Sequence, residues 1–156
     1  MSKSSVIRNE NFIKSAGVAF TEFAITFPIF LFLIFAVIEF SVIAYAKLNT
    51  QYALTEAARY MVTGQGLDNS NTPNPNARLT AIKALFCTKV VSSGFPCNDI
   101  DNHFTVSCVG GCTQAGGGPG QTVTLTASYT KTPITSIKWL PITITAKTTW
   151  KNESFL

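Results

Sequence analysis

From Val18 to Ala46 the chain is apolar almost without interruption, VAFTEFAITFPIFLFLIFAVIEFSVIAYA. About 20 helical residues cross a bilayer core, so this run is long enough to span one. Helical spacing then continues past it through Tyr45, Leu48, Tyr52, Ala58 and Val62, with Ala53 and Ala57 beside them, and predicts that the helix extends over residues 46–63 before Gly64 and Gly66 stop it. Residues 65–78, QGLDNSNTPNPNAR, are polar and proline-broken and read as a linker. Leu79, Ile82, Leu85, Phe86 and Val90 predict a short amphipathic helix over 79–91. Phe104-Thr105-Val106 opens a strand ending near Cys108, and Gln114–Gly120, with four glycines and a proline, reads as a flexible turn. Strict alternation of Val123, Leu125, Ala127 and Tyr129 with Thr and Ser marks a half-buried antiparallel strand. Ile142, Ile144 and Ala146 begin a last strand that reaches towards Trp150, after a connection holding Pro133, Ile134, Ile137, Trp139, Leu140 and Pro141. The expected fold class is α+β: a long N-terminal membrane helix running into a small domain of antiparallel strands.

Charge orients this arrangement. Lys3, Arg8 and Lys14 precede the span against Glu10 alone, and only Lys47 closely flanks its far end. That bias puts the N-terminus in the cytoplasm and the C-terminal domain on the other side. The formal charge is +4, half of it in residues 1–17, and the remaining basic residues are scattered singly, which is no nucleic-acid signature. Cys87, Cys97, Cys108 and Cys112 all lie in the exported part, where an even set in a small domain with a thin core indicates disulfides. Three pairings exist; Cys87 with Cys97 and Cys108 with Cys112 is favoured because both close short local loops. Free thiols or a zinc site are the alternatives.

Two acids and a proline interrupt the span. An acid in a membrane helix is costly and by default marks a function. A cut after Gly17 would create an α-amine on Val18, four residues before Glu22, and a neighbouring subunit could supply the same group. Protonation or snorkelling to the interface is the plain alternative for Glu22. Glu39 follows 17 residues later, about 25 Å along a helix axis, near the opposite interface. Pro28 removes one backbone hydrogen bond and can bend the helix.

Taken in order, these residues resemble the TadE-like minor pilins (pseudopilins) of tight-adherence, Flp-type, type IV pili. The site Gly17-Val18-Ala19-Phe20-Thr21-Glu22-Phe23 is similar to the family's cleavage site, with the acid at the fifth mature position and an aromatic after it. Glu22-Phe23-Ala24 with Pro28, the pair Glu39-Phe40, Ala57-Ala58-Arg59 and Gly64 continue the resemblance across almost fifty residues. A departure is that Lys14 is followed by Ser15 and Ala16, where basic residues often stand directly before the cut.

The resemblance implies a leader over 1–17, a spine helix over 18–64, a linker over 65–78 and an exported domain over 79–156. It implies cleavage between Gly17 and Val18 by a prepilin peptidase, and assembly roles for Glu22, Phe23, Pro28, Glu39 and Arg59. It also implies a single-pass bacterial inner-membrane protein whose head is periplasmic or extracellular, reaching the pilus on assembly. The implied partners are that peptidase, the major Flp-type pilin, other minor pilins, the inner-membrane assembly platform and membrane lipid.

No catalytic set and no cofactor motif emerges from the sequence. His103 is the sole histidine and reads as a solvated loop residue beside Asp99 and Asp101, whose oxygens are too sparse for a calcium loop. The glycine-rich turn lacks the lysine and the strand–loop–helix order of a phosphate cradle. Two rival readings remain: a permanently membrane-anchored periplasmic binding module, and a secreted enzyme released after Ala44-Tyr45-Ala46. The apolar run is close to twice the length of a secretory signal core, which weighs against the second.

Overall fold

A computed structural model of the chain describes residues 3–63, 75–90, 93–113, 116–133 and 141–153. It divides into two compact units, Met1–Phe40 and Ser41–Leu156. Helix α1, Lys3–Val62, supplies the described residues of the first unit and opens the second. Pro28 lies inside it. Within the first unit the large apolar side chains stand exposed, among them Phe20, Ile25, Ile29, Phe32 and Phe40. The stretch Gly17–Val62 is long and apolar enough to cross a membrane, and its exposed apolar surface is compatible with a membrane anchor.

In the second unit the same helix changes character. Ala46, Thr50, Ala53, Leu54, Ala57, Ala58 and Met61 are fully buried and share one face. Four of these seven are alanine, so the helix backbone can approach its neighbours closely. Facing the core is a three-stranded antiparallel sheet of order β1-β2-β3, formed by β1 (Phe104–Cys108), β2 (Thr122–Lys131) and β3 (Ile142–Lys151). β2 is central and buries Val123, Leu125, Ala127 and Tyr129, each alternate residue, while Phe104 on β1 and Ile144 and Ala146 on β3 widen the same face. Helix α2 (Pro75–Val90) adds Ile82, Phe86 and Val90 at four-residue spacing. Phe86 packs edge-on to Phe95 at 4.9 Å, and Phe95 edge-on to Tyr129 at 5.1 Å. A 3-10 turn at Cys97–Asp99 and the single-turn helix α3 (Ile100–His103) lead into β1.

A chain of hydrogen bonds crosses this core from α1 to Ser93. Thr50 Oγ1 donates to Ala46 O at 2.7 Å and lies 3.4 Å from the Tyr129 hydroxyl. That hydroxyl in turn donates to Ser93 O at 3.2 Å, which also accepts from Lys131 Nζ at 3.1 Å. Gln51 Nε2 donates to Lys147 O at 3.2 Å and ties the helix to β3.

The α+β class holds, and four local expectations change. Helix α2 begins at Pro75 rather than Leu79, because proline's fixed φ and missing N–H suit a first helical turn; the end of the expected linker is therefore helical, and residues 64–74 lie outside the described residues. β2 and β3 run to Lys131 and Lys151, since their pairing continues unbroken from Thr122↔Lys151 to Lys131↔Ile142. His103 is half-buried and not a solvated loop residue: its Nδ1 donates to Ser128 O at 2.9 Å, capping β2 just beyond the start of β1. The glycine turn is packed where it is described, with Gly116, Gly117 and Gly118 buried. Trp139 lies outside the described residues, and Trp150 is partly exposed opposite Val123 on β3.

Overfilling the helix–sheet contact should unsettle the whole second unit. Ala57→Leu is expected to destabilise it by about 1–3 kcal/mol, read as an earlier urea midpoint of the full chain in detergent, with the helical content of the membrane span unchanged.

Candidate functional site

The residues singled out from the sequence do not converge on a pocket. Gly17, Val18, Glu22, Phe23, Pro28 and Glu39 belong to the first unit; Arg59 and the four cysteines belong to the second. Gly17 lies within α1, and nothing stands within 4 Å of where a Cβ would be. Val18 is 67% exposed, and its carbonyl accepts from Thr21 Oγ1 at 2.8 Å. Glu22 is exposed, with Thr26 Oγ1 donating to its carbonyl at 2.8 Å. In the full chain the Val18 nitrogen is a backbone amide. Phe23 stacks on Phe27 at 5.0 Å, one turn ahead on the same helix face. Glu39 is half-buried one residue before the unit boundary.

On the second unit Arg59 reaches Glu56 Oε1 at 3.7 Å, the i,i+3 pairing its spacing predicts, and its side chain stays largely exposed. An exposed pair of this kind contributes a few tenths of a kcal/mol. Its surface position leaves Arg59 available to a partner. Cys87 and Cys97 stand with sulfurs 2.16 Å apart and Cα atoms 5.9 Å apart; for Cys108 and Cys112 the distances are 2.05 Å and 4.9 Å. These are the two short loops favoured from spacing. The first closes α2 onto the 3-10 turn, and the second closes a five-residue ring at the end of β1.

A buried polar cluster holds the end of α1, and the sequence did not announce it. Arg78, in the first turns of α2, is 2% exposed. Its Nη2 donates to Met61 O, one of the last carbonyls of α1, and its Nη1 donates to Gly117 O at 3.0 Å. A cation at a helix C-terminus is favourable both as a donor to the orphan carbonyls and against the helix dipole. Burial pushes the Arg78 guanidinium down from its ordinary value, yet the group starts so high that it stays charged. Asn152 Nδ2 lies 3.1–3.2 Å from the carbonyls of Gly116, Gly117 and Gly118. Gln121 braces the neighbouring ring: its Oε1 accepts from Gly118 N at 2.7 Å and Thr113 Oγ1 at 2.9 Å, and its Nε2 donates to Gly111 O at 3.0 Å. Gly117 has φ +79°, and a Cβ there would stand 2.3 Å from Val123 Cγ2. No spacing rule points to Arg78, because its partners lie 17 and 39 residues away in sequence.

Among the described residues no group of three or more His, Cys, Asp or Glu side chains could hold a metal. An open hollow of about 490 Å³ lies beside the Cys87–Cys97 pair, lined by Leu79, Ala84 and Ile100, with Lys83 paired to Asp101 at its edge.

Two outcomes check this geometry. Arg78→Met, which takes the guanidinium donor from Met61 O and leaves Gly117 O to Asn152 alone, should destabilise the second unit by about 2 kcal/mol in denaturant melts, and Gly117→Ala should cost at least as much through the Cβ overlap. Peptide mapping without reductant should recover Cys87 linked to Cys97 and Cys108 linked to Cys112; any crossed pair would contradict the structure.

No curated protein and no solved structure matches the chain. A family model does match, that of the TadE-like proteins, over residues 17–59. The match opens on Gly17, closes on Arg59, and takes in Glu22, Phe23, Pro28 and Glu39. Over that segment the chain is similar to the TadE-like proteins.

Proposed function

We propose that this chain is a minor pilin (pseudopilin) that takes part in assembling a tight-adherence pilus after a prepilin peptidase cuts between Gly17 and Val18. The observation that carries this reading is the family match over 17–59, which begins at the glycine of the cleavage site. Physical features support each step. An exposed apolar helix long enough to span suits storage in the bacterial inner membrane. The basic leader suits a cytoplasmic N-terminus, and the cysteine pairs suit a periplasmic or extracellular head. Glycine at residue 17 lowers the cost of opening the helix for a peptidase, since glycine is among the weakest helix formers.

After the cut, the new amine of Val18 lies in the first turn with Glu22 four residues on, or receives Glu22 from a neighbour. Either pairing offsets the cost of an acid within the bilayer and sets axial register between spines. Pro28 opens the helix ladder locally, and Phe23 offers an aromatic contact beside the acid. Glu39 lies midway along the family segment, near the outer end of the apolar run, and Arg59 closes the segment. The partners are the prepilin peptidase, the major Flp-type pilin, other minor pilins and the inner-membrane assembly platform, with lipid around the span before assembly. The protein acts as a structural subunit, not as an enzyme.

N-terminal sequencing and intact mass of the protein from its native membrane should give a chain starting at Val18. An intact leader in cells that hold the peptidase would favour a permanently anchored periplasmic binding module instead. Glu22→Gln should insert normally but enter filaments at least about tenfold less, the loss that follows from about 1.4 kcal/mol of missing pairing; full incorporation would remove Glu22 from the mechanism.

A further inference from the structure

The outer face of the sheet carries no apolar side chain. Inward positions hold Val123, Leu125, Ala127 and Tyr129; every outward position on all three strands is Thr, Ser or Lys. Across the strands the register aligns Ser107, Thr124 and Thr149 in one row and Thr105, Thr126 and Lys147 in the next. Hydroxyls continue through Ser128 opposite Thr145 and Thr130 opposite Thr143, and Lys151 closes the far end opposite Thr122. Two of the cross-strand pairs are hydrogen-bonded, Thr124 Oγ1 to Thr149 Oγ1 at 2.9 Å and Ser128 Oγ to Thr145 Oγ1 at 3.1 Å. Those rotors are thereby oriented before any ligand arrives. Strand preference accounts for threonine at some exposed positions, but it accepts Val, Ile, Tyr and Phe equally well and does not account for their complete absence.

We propose that this face binds an anionic polysaccharide, laid along β2 and β3 with its carboxylates or sulfates on Lys147 and Lys151. Each hydroxyl both donates and accepts, which is what a chain of sugar hydroxyls requires of a surface. Neighbouring hydroxyls repeat at about 4.8 Å across the strands and about 6.7 Å along them, a lattice that meets a polymer at many weak points. The two lysines, four residues and about 13 Å apart, supply compact positive charges. Among the described residues no acid stands on the strands' outward positions; Glu153 follows two residues after Lys151, beyond the strand end.

Other occupants fit less well. Single-stranded nucleic acid is held by stacking on aromatic side chains, and the outward positions of the three strands hold none. Anionic lipid surfaces call for clusters of four to eight basic residues. A second copy meeting face to face would set lysines of like charge against each other. The surface requires only that the head be exported, and does not depend on its entering a filament.

The test uses the full chain in nanodiscs of zwitterionic lipid, with alginate as the polyuronate probe and dextran as the neutral one. Alginate should bind and dextran should not. Lys147→Gln with Lys151→Gln, and separately Thr124→Val, Thr126→Val and Thr149→Val combined, should each weaken alginate binding about tenfold, the effect of a few contacts of a few tenths to 1 kcal/mol apiece. Thr124→Ser, which keeps the hydroxyl, should bind as the parent does, and circular dichroism should show the strands retained in every variant. Absent alginate binding would overturn the proposal, as would equal binding of dextran, single-stranded DNA or anionic vesicles. Undiminished affinity of the folded valine variant would overturn it too, by reducing the effect to plain charge attraction.

Discussion

The second unit depends on one contact: the alanine-rich face of α1 lying against the inner face of β2. Ala46, Ala53, Ala57 and Ala58 bring the helix close enough for Leu54 and Met61 to fill the core beside Val123, Leu125 and Tyr129. Burying a side chain of that size contributes about 1.5–3 kcal/mol relative to exposure. A three-stranded sheet with one short helix beside it would otherwise expose its apolar side to water, and so small a domain has little core to spare. The segment that follows the apolar run is therefore part of the second unit's core as well as a continuation of α1. The cysteine pairs add cross-links at the periphery, each closing a loop of no more than ten residues in sequence separation.

The end of α1 is secured differently. There the core gives way to backbone carbonyls that apolar packing cannot satisfy, and Arg78, Asn152 and Gln121 take over. Arg78 joins the last turn of α1 to the glycine arch, Asn152 holds the arch from the end of β3, and Gln121 holds the Cys108–Cys112 ring. The head thus has an apolar body and a polar, hydrogen-bonded cap at the helix terminus. Rigidity at both places suits a unit that must keep its shape on a single helix, whether its outer faces meet other subunits or a surface.

Much of this was legible in the sequence because it rests on local periodicity. The alternation of Val123, Leu125, Ala127 and Tyr129 marks one buried face, the apolar run marks the span, and Glu56 with Arg59 marks a helix-surface pair. The TadE-like segment is legible for the same reason: its signature residues lie in order along one helix. What was not legible depends on partners distant in sequence. Arg78 looks like the end of a polar linker until Met61 and Gly117 come to it. The glycine run looks flexible until Asn152 and Arg78 occupy its carbonyls, and His103 looks solvated until β2 continues past β1 and leaves Ser128 O to be capped. Pro75 is ambiguous alone, since proline both ends linkers and begins helices.

The central claim is that residues 46–62 belong to the head's core as well as to the long helix. Hydrogen exchange on the full chain in nanodiscs tests it most directly. The amides of 46–62 should share the slow exchange of β2 and lose it together with β2 on adding urea, while residues 18–40 stay protected by the bilayer. Exchange of 46–62 ahead of an intact, protected sheet would contradict the account.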